Sequence, residues 1–174
     1  MSAGLPAFID VEASGLGGRS YPIEVGLITP EGSMYCSLIA PDPHWVGDGD
    51  AAWDEAAERV HGITRAILKI HGKPLLEVAR DLNRIARGLT LFSDAWGNDY
   101  PWLSRLFDAA DMPMRFQLES LRTLLDEAEA ARWAAAKAEV IAELKLTRHR
   151  ASSDARILQR TLVRIKGRAP AASL

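Results

Sequence analysis

The alternation of apolar and polar positions near the start of the chain predicts three short strands. Residues 6–11 (PAFIDV) form one apolar run, and residues 23–29 (IEVGLIT) and 33–39 (SMYCSLI) form two more. A Pro-Glu-Gly turn signal separates the second run from the third. We therefore expect these strands to pair as an antiparallel meander.

The rest of the chain contains helical patterns interrupted by two apolar strand patterns. The clearest helical stripe lies in residues 75–87, where Leu75, Val78 and Leu82 fall on one face. Residues 40–53 are rich in Pro, Gly, Asp and Trp and are expected to form a long loop. The remaining predictions are strands at 89–94 and 115–118 and helices at 54–60, 65–70, 98–111, 119–146 (with a break in two as an option) and from about 154 to 165.

This order of elements predicts an α/β fold with a central mixed five-stranded sheet. Three strands would form the antiparallel meander, two would be parallel, and helices would flank the sheet. No repeat or linker divides the chain, so we expect one domain over residues 1–174. Its core would cover about 6–165, and residues 166–174 would form a flexible tail.

Composition excludes several classes of protein. The 174 residues are 48% apolar and 25% charged, which is typical of a globular domain. Cys36 is the single cysteine, so an internal disulfide and a cysteine-based zinc site are excluded, and we expect a reducing, cytoplasmic compartment. The N-terminal MSAGLPAFID lacks the basic segment of a signal peptide, and no apolar stretch approaches the roughly 20 residues of a membrane span.

The formal net charge of -2 hides an uneven distribution of charge. The first 144 residues contain 13 basic and 22 acidic side chains, whereas the remainder contains one acidic residue, Asp154, and eight basic ones: Lys145, Arg148, Arg150, Arg156, Arg160, Arg164, Lys166 and Arg168. This pattern indicates a polyanionic partner, with a solvated helix face as the alternative. Arg156, Arg160 and Arg164 recur every four residues, so they share one helix face that either follows a phosphate backbone or meets solvent.

Acidic residues mark the ends of two predicted strands. Asp10 and Glu12 lie two residues apart in the first strand, so they point to the same face and repel each other unless a cation lies between them. Asp99 follows the fourth strand, and His149 and Asp154 lead into the last helix. Carboxylates are the ligands that Mg²⁺ and Mn²⁺ prefer, and two such ions about 4 Å apart serve phosphoryl transfer. A histidine suits proton transfer from the attacking water.

Four sequence phrases occur in order along the chain. They are FIDVEASGL at 8–16, RVHGIT at 59–64, NDYPWL at 98–103 and HRASSDA at 149–155. In this order they resemble the motifs of the DEDDh 3′–5′ exonucleases, members of the DnaQ-like superfamily with a ribonuclease H-like fold. The last phrase matches the family pattern H-x-A-x-x-D-A with complete spacing. The resemblance covers residues 6–165.

The resemblance implies a role for His149 and for each carboxylate of the acidic group, which consists of Asp10, Glu12, Asp99 and Asp154. Metal ligands for two Mg²⁺ or Mn²⁺ ions would be Asp10, Glu12, Asp99 and Asp154. Asp10 would bridge the two ions, and His149 would activate the attacking water. The run SDAWGN departs from the usual second motif, so Asp94 remains an alternative to Asp99.

The resemblance also implies a substrate, which is single-stranded nucleic acid with a free 3′ end. Gly15 and Leu16 would approach the terminal nucleotide, and Trp96 would stack on a base. The Trp-Gly-Asn phrase resembles bacterial exoribonuclease-like members, which favours RNA over DNA. The chain ends about ten residues after its last helix, which favours a stand-alone enzyme, and relatives that pair as dimers leave a homodimer open.

Two other functions remain compatible with the sequence. The first is a catalytically inactive nucleic-acid-binding module on the same fold, which would bind through the basic helix face. The second is a metal-dependent phosphohydrolase of small phosphorylated metabolites, which would use similar carboxylate chemistry. Metal-dependent cleavage of oligonucleotides would separate the exonuclease from both.

Overall fold

A five-stranded mixed sheet forms the centre of the protein. The computed structural model describes residues 4–47 and 51–167. The sheet order is β3, β2, β1, β4, β5, with β1 and β3 antiparallel to β2 and with β4 parallel to both β1 and β5. The strands are β1 (Ala7–Ala13), β2 (Pro22–Ile28), β3 (Met34–Leu38), β4 (Thr90–Ser93) and β5 (Gln117–Ser120). The predicted α/β fold and its strand arrangement are confirmed.

Helices cover both faces of the sheet, and several begin at side chains that cap them. Asp54 accepts the Ala56 N–H at 2.7 Å, and Asp126 and Glu129 form a capping box, so side-chain oxygens satisfy N–H groups that have no partner within the helix. The helices are α1 (Pro43–Val46), α2 (Glu55–His61), α3 (Arg65–His71), α4 (Leu75–Ile85), α5 (Trp96–Ala109), α6 (Glu127–Leu144) and α7 (Ala151–Ile165).

Alternating side chains give the sheet two faces. Ile9 and Val11 of β1 belong to the core cluster that also contains buried residues of α4 and α5. Phe8 points to the opposite face, where it clusters with Leu158 and Leu162 of α7. Because side chains of a strand alternate between faces, Asp10 and Glu12 share the α7 face with Phe8.

Two strands and a loop differ from the sequence prediction at their boundaries. β1 continues to Ala13, so Glu12 lies inside the strand. β5 covers residues 117–120 rather than 115–118, because the Arg115 N–H donates to Asn83 Oδ1 at 2.7 Å and is not available to the sheet. The predicted loop at 40–53 contains the short helix α1, and its residues 48–50 lie outside the described ranges.

Two helices also differ from the prediction. α5 begins at Trp96, two residues before its predicted start at residue 98. The predicted helix at 119–146 is broken in two, into a 3₁₀ turn at Leu121–Leu124 and α6. The break lies where Asp126 takes an extended conformation and caps the new helix.

Most basic residues near the C-terminus are paired with carboxylates. Arg164 contacts Glu139 and Glu143 of α6, and Lys166 Nζ lies 2.6 Å from a carboxylate oxygen of Glu129. These pairs connect α7 with α6, although pairs of this exposure contribute little to stability. Arg164 is therefore turned toward α6, which does not fit the alternative in which all three arginines of the stripe follow a phosphate backbone.

The described part of the chain contains no helix that is long and apolar enough to cross a membrane. Lys166 and Gly167 form a turn after α7. The rest of the tail predicted at 166–174, which is residues 168–174, lies outside the described ranges.

Candidate active site

Two carboxylates occupy successive positions on one face of β1. Asp10 lies opposite Gly26 of β2, and Glu12 lies opposite Glu24. Phe8, two residues earlier on the same face, is fully buried under α7. This face of the sheet therefore changes from apolar to acidic toward the C-terminal end of β1.

The first turn of α7 reaches the acidic positions because Gly26 has no side chain. A Cβ atom at Gly26 would lie 2.1 Å from the backbone nitrogen of Ser152 and 2.3 Å from the carbonyl carbon of Ala151. The helix start thus rests directly on β2, beside Asp10. Asp154, in the first turn of α7, is 8% exposed. The positive end of the helix dipole favours negative charge at this place.

Asp154 also holds the segment that carries His149. Its Oδ2 atom accepts the His149 N–H at 2.8 Å, and its Oδ1 atom accepts the Nε–H of Arg148 at 3.0 Å. His149 has a φ of 56°, which is uncommon for a residue other than glycine. Potential ligand atoms of Glu12, His149 and Asp154 lie within 4.8 Å of one another. The structure therefore brings the first and third sequence motifs together.

Asp99 lies on the first turn of α5. Among the described residues, neither Asp99 nor Asp10 belongs to the group whose ligand atoms lie within 4.8 Å of one another. Asp99 is 1% exposed, and its Oδ2 atom accepts a hydrogen bond from the Ser93 hydroxyl at the end of β4. Its Oδ1 atom is buried and has no hydrogen-bond partner among the described residues. Burial raises the pKa of Asp99 to about 7, although the Ser93 hydrogen bond opposes this shift. After burial, repulsion from Asp99 is the largest cause of the raised pKa of Asp10.

Asp94, the alternative to Asp99, has its own counter-charge. Its Oδ2 atom lies 2.5 Å from Lys137 Nζ of α6. Its charge still adds to the repulsion that raises the pKa values of Asp10 and Asp99. Asp94 is therefore a neighbour of the acidic group, and its first partner is a lysine.

The acidic group opposes its own ionisation. Burial, followed by repulsion from Asp99 and Glu12, raises the pKa of Asp10 well above its usual value. Burial, followed by repulsion from Asp154, raises the pKa of Glu12 to about 7. A divalent cation would supply the missing positive charge, and carboxylate oxygens are the ligands that Mg²⁺ and Mn²⁺ prefer. The buried, unpaired Oδ1 atom of Asp99 and this oxygen-rich donor set both fit such ions.

The raised pKa values predict how the stability of the metal-free protein depends on pH. A carboxyl group whose pKa is higher in the folded than in the unfolded state makes the folded state less stable once both states are ionised. The free energy of unfolding therefore falls as pH rises from the unfolded pKa, near 4, through about 7. One pKa unit corresponds to about 1.4 kcal/mol, so the melting temperature in a chelator should fall by about 5–10 °C between about pH 5 and about pH 8.

Differential scanning fluorimetry in EDTA and in Mn²⁺ checks this prediction. Mn²⁺ should raise the melting temperature more at about pH 8 than at about pH 5, because ligands must be deprotonated to bind the ion. An equal effect of Mn²⁺ at both pH values, or a melting temperature in EDTA that rises over this range, would contradict the prediction.

The described part of the chain includes all three residues that are expected to contact substrate. Gly15 is in the loop after β1, where an added Cβ atom would lie 3.0 Å from Cβ of Asp54. Leu16, the next residue, is 79% exposed. Trp96 is 42% exposed on the first turn of α5. Its indole N–H donates to a backbone carbonyl of β5 at 3.0 Å, and its ring stacks on Tyr100 with centroids 5.5 Å apart.

Other aromatic and histidine side chains belong to the interior. Trp45, Trp53 and Trp102 are 8–9% exposed, and the first two pack around Tyr21. His61 is buried as well, and its Nδ1 atom accepts a backbone N–H at 3.0 Å. These side chains stabilise the fold beside the site.

Glu24 is a charged residue at this site that the sequence motifs do not identify. It is fully buried in β2 and accepts hydrogen bonds from the Arg150 guanidinium and from the Ala151 N–H. The sequence feature that could have identified Glu24 is its single charge inside the apolar run PIEVGLI. The H-x-A-x-x-D-A pattern leaves the position of Arg150 unspecified, so the motif does not predict its pairing with Glu24.

Comparison with known proteins shows a shared fold without close sequence similarity. No protein-family model matches the sequence, and no curated protein sequence matches it significantly. Escherichia coli Exonuclease I in complex with a 5cy-dA13 oligonucleotide is 14% identical with a TM-score of 0.65, over 97% of this chain and 41% of that chain. The zinc-bound complex of the E. coli enzyme with single-stranded DNA is likewise 14% identical with a TM-score of 0.65, over 95% of this chain and 41% of that chain. Exonuclease I from Methylocaldum szegediense is 15% identical with a TM-score of 0.66, over 93% and 40% of the two chains.

The chain has the predicted ribonuclease H-like fold, which it shares with these Exonuclease I structures. It spans about two fifths of the length of these Exonuclease I chains. At this identity the likeness establishes the fold, so the chemistry rests on the residues of the acidic group.

Proposed function

We propose that the protein is a metal-dependent 3′–5′ exonuclease that hydrolyses single-stranded nucleic acid to nucleoside 5′-monophosphates. The observation that carries this proposal is the approach of Glu12 and Asp154, from distant parts of the chain, to His149. Asp10 and Glu12 come from β1, Asp99 from α5 and Asp154 from α7. His149 lies within 4.8 Å of two of them, measured between ligand atoms.

In this proposal the four carboxylates would hold two Mg²⁺ or Mn²⁺ ions, and Asp10 would contribute to both. When bound, such ions stabilise the attacking and leaving oxygens of a phosphodiester in in-line displacement. Asp10 lies on β1 and Asp99 on the first turn of α5. Their mutual repulsion in the absence of a counter-ion, expressed in the raised pKa of Asp10, supports the assignment.

His149 is the proposed general base. Its side chain is exposed at the edge of the group, while its backbone is held by the hydrogen bond to Asp154. The imidazole would take a proton from the attacking water oxygen, which is chemistry that histidine performs near neutral pH. The exposed position allows the imidazole to pass that proton to solvent.

The proposed substrate surface consists of Gly15, Leu16 and Trp96. Leu16 and Trp96 present exposed apolar area, and aromatic faces stack on bases of any sequence. The Trp-Gly-Asn phrase favours RNA, whereas structures with this fold contain single-stranded DNA. The two substrates are therefore compared directly in the test.

The test is a gel time course with 5′-labelled single-stranded RNA and DNA of matched sequence, in Mn²⁺, Mg²⁺ or EDTA. A 3′-to-5′ ladder that requires metal is expected, and the faster ladder identifies the preferred sugar. His149→Ala should slow the ladder by about 10²–10⁴-fold, the usual contribution of a general base. Metal-independent binding with no ladder would replace this proposal with the inactive module, and cleavage of p-nitrophenyl phosphate alone would replace it with the metabolite phosphohydrolase.

The assignment of the second motif predicts a contrast between two aspartates. Asp99→Asn should lower the rate at least about 10³-fold, since it removes a buried ligand, whereas Asp94→Asn should stay within about tenfold of the wild type because Asp94 is paired with Lys137. The same gel assay, with circular dichroism as a check on folding, measures both. The reverse result would assign the second motif to Asp94.

Several finer expectations remain predictions. They are one exonuclease domain over residues 1–174, a reducing cytoplasmic compartment, a homodimer and a flexible C-terminal tail. Size-exclusion chromatography with light scattering tests the homodimer.

A further inference from the structure

Glu24 is a buried charge that the proposed metal site does not use. Its side chain is 0% exposed, and in the sheet it lies directly opposite Glu12. A carboxylate without solvent is costly unless it is paired and hydrogen-bonded. A second glutamate beside Glu12 also adds repulsion to an acidic group. The position of Glu24 in the fold therefore requires an explanation.

The partners of Glu24 belong to the start of α7, apart from Cys36 of β3, whose Sγ–H donates to Oε1 at 3.6 Å. The Nε–H of Arg150 donates to its two carboxylate oxygens, at 3.0 and 3.2 Å, and a terminal N–H of the same guanidinium donates at 2.5 Å. The Ala151 N–H donates to Oε2 at 2.8 Å. Glu24 thus accepts hydrogen bonds from a side chain and from a backbone group of adjacent residues.

These contacts make Glu24 the cap of α7. Arg150 occupies the N-cap position and has no side-chain capping bond of its own. Free N–H groups at a helix start are normally satisfied by a side chain of the N-cap residue. Here a carboxylate from β2 performs this task, so a strand of the sheet determines where the helix begins.

His149 lies between two fixed points as a result. Its own N–H is bound by Asp154, and the next residue, Arg150, is bound by Glu24. Its positive φ of 56° is a conformation that persists when the surroundings hold it. Loss of either contact would allow the backbone at His149 to relax toward a more common conformation and move the imidazole.

We propose that Glu24 is a positioning residue, which holds Arg150 and the first N–H of α7 so that His149 and Asp154 face the carboxylates of β1. The guanidinium of Arg150 is the counter-charge of Glu24 and opposes the repulsion that Glu24 adds beside Glu12. This inference deepens the proposed function and rests on it.

The experiment compares Glu24→Gln, Glu24→Ala and Arg150→Gln in the full chain. Glutamine keeps an acceptor for the Ala151 N–H but loses the charge that binds Arg150, whereas alanine loses both. We expect kcat to fall by about 10-fold in Glu24→Gln and by about 100-fold in Glu24→Ala, with KM within about threefold, because a displacement of about 1 Å can cost about 10²-fold in rate. The double variant Glu24→Gln with Arg150→Gln should be no worse than the poorer single variant.

Amide hydrogen exchange supplies a readout that does not depend on activity. Peptides covering residues 146–152 should exchange at least about tenfold faster in the Glu24 variants at temperatures well below unfolding, while the rest of the sheet keeps its protection. Lys166→Met is the matched control, since it removes another ion pair of α7 that lies at the far end of the helix. It should change neither kcat nor exchange at 146–152.

The two proposals fail in distinguishable ways. A wild-type protein without nuclease activity would overturn the proposed function, while local exchange in the Glu24 variants would still report on positioning. Unchanged exchange at 146–152, or folded Glu24 variants with wild-type kcat, would overturn the positioning role. Exchange that rises across the whole protein, with kcat falling only as the folded fraction falls, would also overturn it, because Glu24 would then act on stability alone.

Discussion

Replacement of Asp10 by asparagine is expected to abolish hydrolysis and, at the same time, to stabilise the metal-free protein. Asp10 is the proposed ligand shared by both ions, and asparagine offers one neutral oxygen in place of a carboxylate. Loss of at least about 10⁴-fold in rate is expected, since the metals provide the main charge stabilisation of the reaction. The carboxylate is costly when no cation is bound, because burial and repulsion from Asp99 and Glu12 raise its pKa.

The sign of the stability change follows from this raised pKa. The unfolded carboxyl ionises near pH 4, so the folded state loses stability relative to the unfolded state as pH rises above that value. Asparagine removes this loss. The melting temperature of Asp10→Asn in EDTA should therefore exceed that of the wild type at about pH 8, by several degrees, and the difference should nearly vanish at about pH 4.

The gel assay and thermal unfolding together check the prediction for Asp10. Asp108→Asn, a change of an exposed carboxylate on α5, is the control and should alter neither quantity. An Asp10→Asn protein that is inactive but less stable than the wild type at about pH 8 would show that Asp10 mainly supports the fold. An active Asp10→Asn protein would contradict its assignment as the shared ligand.

Substitution of Gly26 by alanine is expected to cost both stability and activity. The added methyl group would lie 2.1 Å from the backbone of Ser152, which is rigid and cannot yield as the end of a long side chain can. The start of α7 must then move away from β2, and with it His149 and Asp154. Such overpacking typically costs about 1–3 kcal/mol, and a displacement of about 1 Å in the site costs about 10²-fold in rate.

Thermal unfolding and the gel assay measure these effects of Gly26→Ala. Gly18→Ala is the matched control, since a Cβ atom there would meet nothing within 4 Å. The control should retain wild-type stability to within about 0.5 kcal/mol. Wild-type stability and rate in Gly26→Ala would mean that α7 does not rest on β2 as closely as the structure shows.

The sequence by itself determined the class of fold and the chemistry available to it. Strands and helices were predictable because their apolar periodicity is local, as in the run PAFIDV and in the stripe of residues 75–87. The pairing of Asp10 and Glu12 on one face follows from the two-residue period of a strand. Order and spacing of the motifs indicated which distant residues to expect together, and the structure does bring Glu12, His149 and Asp154 within reach of one ion.

Boundaries set by distant partners were not predictable in the same way. β5 starts two residues late because Arg115 is bound by Asn83 of α4. Arg164 appeared free to meet phosphates, yet it pairs with two glutamates of α6. In each case the partner that determines the contact is distant along the chain, so a local sequence pattern does not include it.

Tertiary structure alone decided how the third motif meets the first. Gly26 is one small residue in an apolar strand, and its significance depends on the helix that packs on it. Glu24 caps a helix that begins more than a hundred residues later. Periodicity reports the face on which a side chain lies, whereas the contact that holds His149 in place depends on which surfaces the packed sheet and helices bring together.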